Sequence, residues 1–136
     1  MKGSYILLIK LDRDGNIKIG SLGNIFFNKN FYIYIGSGLN GLDSRLKRHL
    51  NKTKKIHWHI DFLLEKGKIV DIFYKKGIVK EECKIADCFV DKFQMIPKFG
   101  CSDCKCKSHL FFSAKQRILD IIQTLDMQRY DFYEKI

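Results

Sequence analysis

The sequence predicts a single α+β domain in which helices flank a central, mostly antiparallel sheet. Three observations predict it. Runs rich in β-branched and aromatic residues alternate with stretches whose apolar residues recur at helical spacing. The 136 residues, 46% of them hydrophobic, are enough to bury one core. No repeat, linker or low-complexity tract divides the chain, so residues 1–136 read as one domain.

Gly3 to Leu11 is a continuous apolar run through Tyr5, Ile6, Leu7, Leu8 and Ile9, and reads as a buried strand. Asp14-Gly15-Asn16 is turn chemistry, and Ile17 to Ile19 begins a return strand. After Asn28-Lys29-Asn30, Phe31 to Ile35 forms another strongly β-prone run. Beyond Gly36-Ser37-Gly38 the period changes. Leu42, Leu46 and Leu50 recur every four residues on one helical stripe, while Arg45 and His49, also four apart, share a different face. His57 to Leu64 and Ile69 to Tyr74 read as two strands of a hairpin turning at Glu65-Lys66-Gly67-Lys68. On that strand His57, His59 and Asp61 would lie on one face. Val79 to Phe93 reads as a helix with Ala86, Phe89, Val90 and Phe93 facing inward, stopped by Pro97 and Gly100 before a Cys-rich loop. A short strand follows the loop. Ser113 and Gln116 then form a capping box for a last helix carrying Ile118, Ile121, Ile122 and Leu125.

Charge narrows the function. Twenty-five Lys and Arg against fifteen Asp and Glu leave a net charge of +10, a field that favours polyanions and nucleic acid first. No run approaches the roughly 18 apolar residues of a membrane span, and the N-terminus lacks the order of a signal peptide. A cytoplasmic protein with no membrane partner is expected. Its five cysteines are then metal ligands or buried thiols in preference to disulfides. The sequence carries no indication of an oligomeric state.

Gly3-Ser4-Tyr5 on the first strand and Tyr34-Ile35-Gly36 closing a later one resemble the paired motifs of GIY-YIG nucleases. Asn40, Arg45 and His49 fall much as that family's first helix would place them, and Glu81 and Glu82 are available on a later helix. More narrowly, the chain resembles a GIY-YIG-like family of unknown function found alone or fused to endonuclease III. That resemblance rests on Tyr32 to Ser37, His57-Trp58-His59-Ile60-Asp61, Glu82-Cys83, and Phe99-Gly100-Cys101-Ser102-Asp103-Cys104 through Ser108-His109-Leu110. It covers residues 3 to about 112. The chain departs from the pattern in two ways. Tyr5 lies 29 residues before Tyr34, with an extra Asp12–Asn30 excursion between them, and the span from Gly36 to Arg45 is one residue longer than usual.

The resemblance implies a divalent-metal-dependent endonuclease acting on nucleic acid, DNA rather than RNA. Tyr5 or Tyr34 would activate or position water, and Arg45 would hold the phosphate with its planar fork. Glu82 would hold Mg²⁺, with Glu81 as its fallback, and His49 would shuttle a proton or support the nucleophile. Gly36 would let the backbone turn tightly beside the site. Lys47, Arg48, Lys52, Lys54 and Lys55 would form a basic shoulder tracking phosphates towards it. The altered first motif motivates an alternative, a binding module that kept the scaffold and lost turnover.

The cysteines and histidines leave two readings open. Cys101, Cys104, Cys106 and His109 occupy nine residues, a spacing that matches no standard finger. A mixed zinc site pairing His57 or His59 with Cys104, Cys106 or His109 would be easier to build, and would make a zinc-stabilised interaction domain the third functional class. The commoner arrangement has reduced cysteines and core histidines, with His57, His59 or His109 as accessory polar groups of the phosphate site.

Overall fold

The structure is a computed structural model that describes residues 1–102 and 104–132; Asp103 of the Cys-rich motif lies outside the described residues. The first strand, β1 (Gly3–Leu11), is buried on both faces, with Tyr5, Leu7, Ile9 and Leu11 on one side and Ile6 and Leu8 on the other. Burial on two sides is why its sequence is a continuous apolar run and not an alternation. The excursion after it is a separate hairpin of β2 (Gly15–Lys18) and β3 (Asn24–Phe27), with Ile17 opposite Ile25. β4 (Asn30–Ser37) returns antiparallel to β1, placing Tyr5 opposite Gly36 and Leu7 opposite Tyr34.

The chain continues through α1 (Leu42–Leu50), α2 (His59–Leu64), β5 (Lys68–Lys76), α3 (Glu82–Val90), β6 (Gln94–Met95), β7 (Leu110–Ser113), α4 (Lys115–Ile122) and β8 (Gln128–Arg129). The main sheet has six strands in the order β6-β7-β4-β1-β5-β8, antiparallel at each pairing. One apolar layer joins the Tyr5 face of the sheet to Leu42 and Leu46 of α1 and to Ile60 and Leu63 of α2. The other joins the Ile6 face to Ile85, Ala86 and Phe89 of α3 and to Ile118 and Ile122 of α4. The α+β class and the mostly antiparallel sheet flanked by helices are as the sequence predicts. Among the described residues, no helix is long and apolar enough to cross a membrane.

The structure corrects the sequence reading at several elements. His57 to Leu64 is not a strand of a hairpin: His59–Leu64 is a helix, and His57 and Trp58 are the extended chain leading into it. The physical reason is Asp61. Its carboxylate reaches back to accept the backbone N–H groups of His57 and Trp58, both at 2.9 Å, and so starts a helix at that point. The triplet Ile60, Leu63 and Leu64 is a helical spacing that this short segment already carried. His57, His59 and Asp61 therefore do not share a strand face. The Ser113–Gln116 capping box is absent too. Ala114 is the N-cap, Gln116 bonds Asp120 at 2.8 Å, and Ser113 accepts a long 3.4 Å bond from Arg117. The helix expected over Val79–Phe93 is shorter, and the two-residue strands β6 and β8 are additions. Such short strands exist because neighbouring edges offer unpaired backbone groups, which no local pattern announces.

Asp61 is fully buried, and Arg48 of α1 donates to both its oxygens at 2.9 and 2.8 Å. Burial pushes its carboxyl up, but the Arg48 fork and the two backbone N–H groups outweigh that and hold it below the usual range. Asp61→Asn is expected to destabilise the fold by about 2–3 kcal/mol in urea titrations at pH 7, since it leaves Arg48 unpaired and loses charge-assisted bonds. The stability that Asp61 contributes is present above pH 3.8 and is lost as pH falls below it, and the Asn variant should lack that loss.

Candidate functional site

A cleft of about 750 Å³ opens between the C-terminal end of β4, α1, the start of α2 and the start of α3, and its wall includes Tyr5, Tyr34, Arg45 and Glu82. Each reaches it for a local reason. Tyr5 and Tyr34 stand on neighbouring strands with their rings on the same side of the sheet, centroids 6.4 Å apart. Gly36 sits opposite Tyr5, and a Cβ there would run into the Tyr5 ring. The expectation for Gly36 is thereby corrected. It is needed for close approach of an aromatic ring within a strand, and no positive φ is involved.

Behind Tyr5 lies His49, on the buried face of α1. The Tyr5 hydroxyl and His49 Nε2 are 2.6 Å apart, a short buried hydrogen bond between residues distant in sequence. Burial pushes the Tyr5 hydroxyl well above its usual range, with Tyr34 adding to the rise and Arg45 opposing it. Burial likewise lowers His49 to about 3, so the imidazole is neutral at pH 7. Nδ1 of His49 and Oε2 of Glu82 are the buried side-chain atoms without a hydrogen-bond partner among the described residues. Both belong to this site.

Arg45 donates to the Ser37 carbonyl at 2.6 Å and lies 4.7 Å from the centre of the Trp58 ring, while Arg48 lies 4.2 Å from the same ring. The indole thus positions both guanidinium groups, and Asp61 positions the indole. In the sequence Trp58 stands only within the His57–Asp61 motif run, with no local signal that it meets two guanidinium groups. His57 and His59 also line the cleft. His59 Nδ1 accepts the Gly100 N–H at 2.9 Å, so its proton sits on Nε2, and burial lowers its pKa. Lys80, another residue the sequence did not single out, contributes a cation 3.4 Å from Glu82 Oε1. Glu81 is apart from this pair and faces Lys75 at 3.8 Å.

The expected basic shoulder lies outside the cleft wall. None of Lys47, Arg48, Lys52, Lys54 or Lys55 is part of the cleft wall. Lys52 and Lys54 line a second groove with Lys10, Lys66 and Lys68. Lys54 Nζ donates to the carbonyls of His49 and Asn51, and Arg48 is committed to Asp61 and the Lys55 carbonyl.

The Cys/His residues gather behind the cleft, in a different grouping from the expected one. Cys83, Cys104, Cys106 and His109 bring one ligand atom each to within 4.8 Å of one another, a set that could hold a metal ion. His57, His59 and Cys101 are not in it. His59 is tied to Gly100, and the Cys101 thiol points to the Phe99 carbonyl at 3.4 Å. Cys83 comes from α3, far from the others in sequence, so the loop's own spacing could not reveal it. Burial raises the thiols of Cys83 and Cys106 and pushes Cys101 up to about 12.

The buried neutral imidazole makes a prediction. His49 titrates at 6.5 when exposed and about 3 in the folded chain, so below pH 6.5 the unfolded chain binds a proton that the native chain does not. Its contribution is complete above pH 6.5 and is lost progressively as pH falls towards 3. Between pH 6.5 and 4.5, urea midpoints of the wild type should fall by more than those of His49→Gln, which keeps only the smaller slope from His59. Parallel curves for the two proteins would contradict a buried neutral His49.

No curated protein and no solved structure matches the chain. A family match does extend over residues 4–129, taking in every side chain of the cleft and of the Cys/His cluster, and the chain belongs to that family, described as Domain of unknown function DUF123.

Proposed function

We propose that the cleft binds nucleic acid, with DNA as substrate, and hydrolyses a phosphodiester by GIY-YIG-type chemistry. The observation that carries this reading is the Tyr5–His49 pair, a hydroxyl bonded at 2.6 Å to a buried neutral imidazole in a cleft that also presents Arg45 and Glu82. An ordinary core would leave neither His49 Nδ1 nor Glu82 Oε2 without a partner, because each such atom costs roughly 1–3 kcal/mol. Unsatisfied polar atoms gathered in and behind one cleft wall support reading it as a site kept for chemistry.

The roles follow from the environments. Burial disfavours a free phenolate at Tyr5 and a free imidazolium at His49, so neither ionises alone. With the His49 proton on Nδ1, Nε2 accepts from Tyr5. Tyr5 can then take a proton from an attacking water as it passes its own to His49, and the imidazolium so formed is transient, offset by the negative charge that grows on the phosphate oxygens. Tyr34 orients that water from the adjacent strand. Arg45, fixed by Ser37 and Trp58, holds the phosphate and meets the charge that develops on its oxygens. Glu82 fits a hard divalent ion: its buried Oε2 is an oxygen donor without a partner, which suits Mg²⁺. When bound, that ion would polarise the phosphate and stabilise the leaving oxygen. The Cys/His cluster has the wrong donors for this task and suits a softer metal.

The test is incubation of end-labelled branched and duplex DNA with Mg²⁺ or with EDTA. Cleavage is expected only with the ion, and Arg45→Ala and Glu82→Gln should each lower the rate by about 10²–10³-fold. Glu82→Gln should unfold at the same or a higher temperature, because it relieves a buried carboxylate. DNA that is held at low salt but never cut would leave the binding module as the correct reading.

Binding has its own check. Lys47, Lys52 and Lys55 are exposed and would contact phosphates flanking the cleft. The log–log salt dependence of affinity, followed by fluorescence anisotropy, should flatten by about 0.9 for each of these that contacts duplex phosphate and is changed to Gln. A slope insensitive to the triple substitution would remove the shoulder from the interface.

A further inference from the structure

Apart from the Tyr5–His49 pair and Glu82, the strongest concentration of chemistry is the group formed by Cys83, Cys104, Cys106 and His109. We propose that these four side chains form a closed tetrahedral zinc centre that clamps the Ile96–Leu110 loop to the first turn of α3 and so sets the position of Glu82. The distances support this. With Zn–S near 2.3 Å and Zn–N near 2.0 Å, a tetrahedron has S–N edges of roughly 3.6 Å and S–S edges of roughly 3.8 Å. His109 Nε2 lies 3.7 Å from the sulfurs of both Cys83 and Cys104, and all four ligand atoms fall within 4.8 Å. These separations are far beyond a disulfide bond of about 2.05 Å and suit a shared central ion.

Donor chemistry selects the metal. Three sulfurs and one imidazole form a soft set that favours zinc over magnesium or calcium, and four protein ligands leave no open position for substrate. Such a closed centre is structural.

Its placement gives it a consequence. Cys83 directly follows Glu82 at the start of α3, and His109 lies on the cleft wall just before β7. The loop between Ile96 and Leu110 is held by a few backbone bonds, among them Lys98 N–H to Lys107 O at 2.8 Å and His109 N–H to Phe99 O at 2.9 Å. Ser108 is buried and bonded at the base of this loop, whereas Cys104 to Lys107 are half-buried or exposed, so packing alone secures that stretch weakly. An ion bridging this loop to α3 supplies the missing cross-link, because binding energy at a structural zinc site is folding energy. The hard-ion carboxylate of the cleft would thus be set in place by the soft-ion centre behind it.

The experiment begins with the full chain purified without chelators. Elemental analysis should find about one zinc per chain. Cobalt substitution should give the visible bands of a tetrahedral thiolate site. Cys83→Ser and Cys106→Ser should each reduce zinc to background, whereas Cys88→Ser, Cys101→Ser and Glu82→Gln should keep it. Should the Cys83 or Cys106 variants fail to fold, the cobalt spectrum of the wild type decides. Chelation should accelerate amide exchange in the first turn of α3 and across residues 98–110, while β1 and β4 stay protected. A metal-free wild type that stays colourless with cobalt, full zinc retention in Cys83→Ser, or zinc loss in Glu82→Gln would each overturn the assignment. So would unchanged exchange in α3 after chelation. Zinc content is independent of DNA cleavage, so a zinc-loaded protein that cuts no DNA would end the nuclease reading and leave this centre standing.

Discussion

The Asp61 carboxylate accepts four hydrogen bonds while excluded from water, two from the Arg48 guanidinium and two from the backbone N–H groups of His57 and Trp58. A buried charge is tolerated only when its partners replace its hydration, and here they do so from two directions. The backbone bonds start α2 and the guanidinium locks α2 to α1. Because the same guanidinium packs against Trp58, the indole is held where it can position Arg45 as well. One carboxylate therefore determines how the His57–Trp58 segment, the first two helices and the cleft meet. Arg48, counted from sequence among the cations of a binding surface, is consumed in this structural task.

The cleft inverts that economy. Around Asp61 each buried acceptor is matched, whereas Nδ1 of His49 and Oε2 of Glu82 remain unmatched among the described residues. Burial acts on Tyr5 and His49 in one consistent sense, raising the first and lowering the second, so both favour their neutral forms and face each other across a short hydrogen bond. Both unpartnered atoms thus lie in or behind the wall of one cleft, while the other buried side-chain polar atoms of the described residues are matched.

Hard and soft donors are also kept apart. Glu82 lines the cleft and the sulfurs gather around His109, although Glu82 and Cys83 are adjacent residues. The change of direction between consecutive residues of a helix, about 100° of rotation, is what lets one turn of α3 serve both groups.

The sequence by itself determined the α+β class, the strands β1, β4 and β5, the hairpin excursion, α1 and its Arg45–His49 face, because each rests on a strong local period or on turn residues. It also marked Tyr5, Tyr34, Arg45, His49 and Glu82, through a motif pattern and not through any local signal that joins them. It misread His57–Leu64, where eight mostly apolar and aromatic residues fit a strand as well as a helix and only the back-bonding of Asp61 decides. Tertiary structure alone decided that Trp58 and Lys80 belong to the cleft and that Lys52 and Lys54 line a second groove. It alone recruited Cys83 to a cluster whose other members lie 21 or more residues away. The reason is the same in each case: periodicity reports which face of an element is buried, and only packing between elements decides what that face meets.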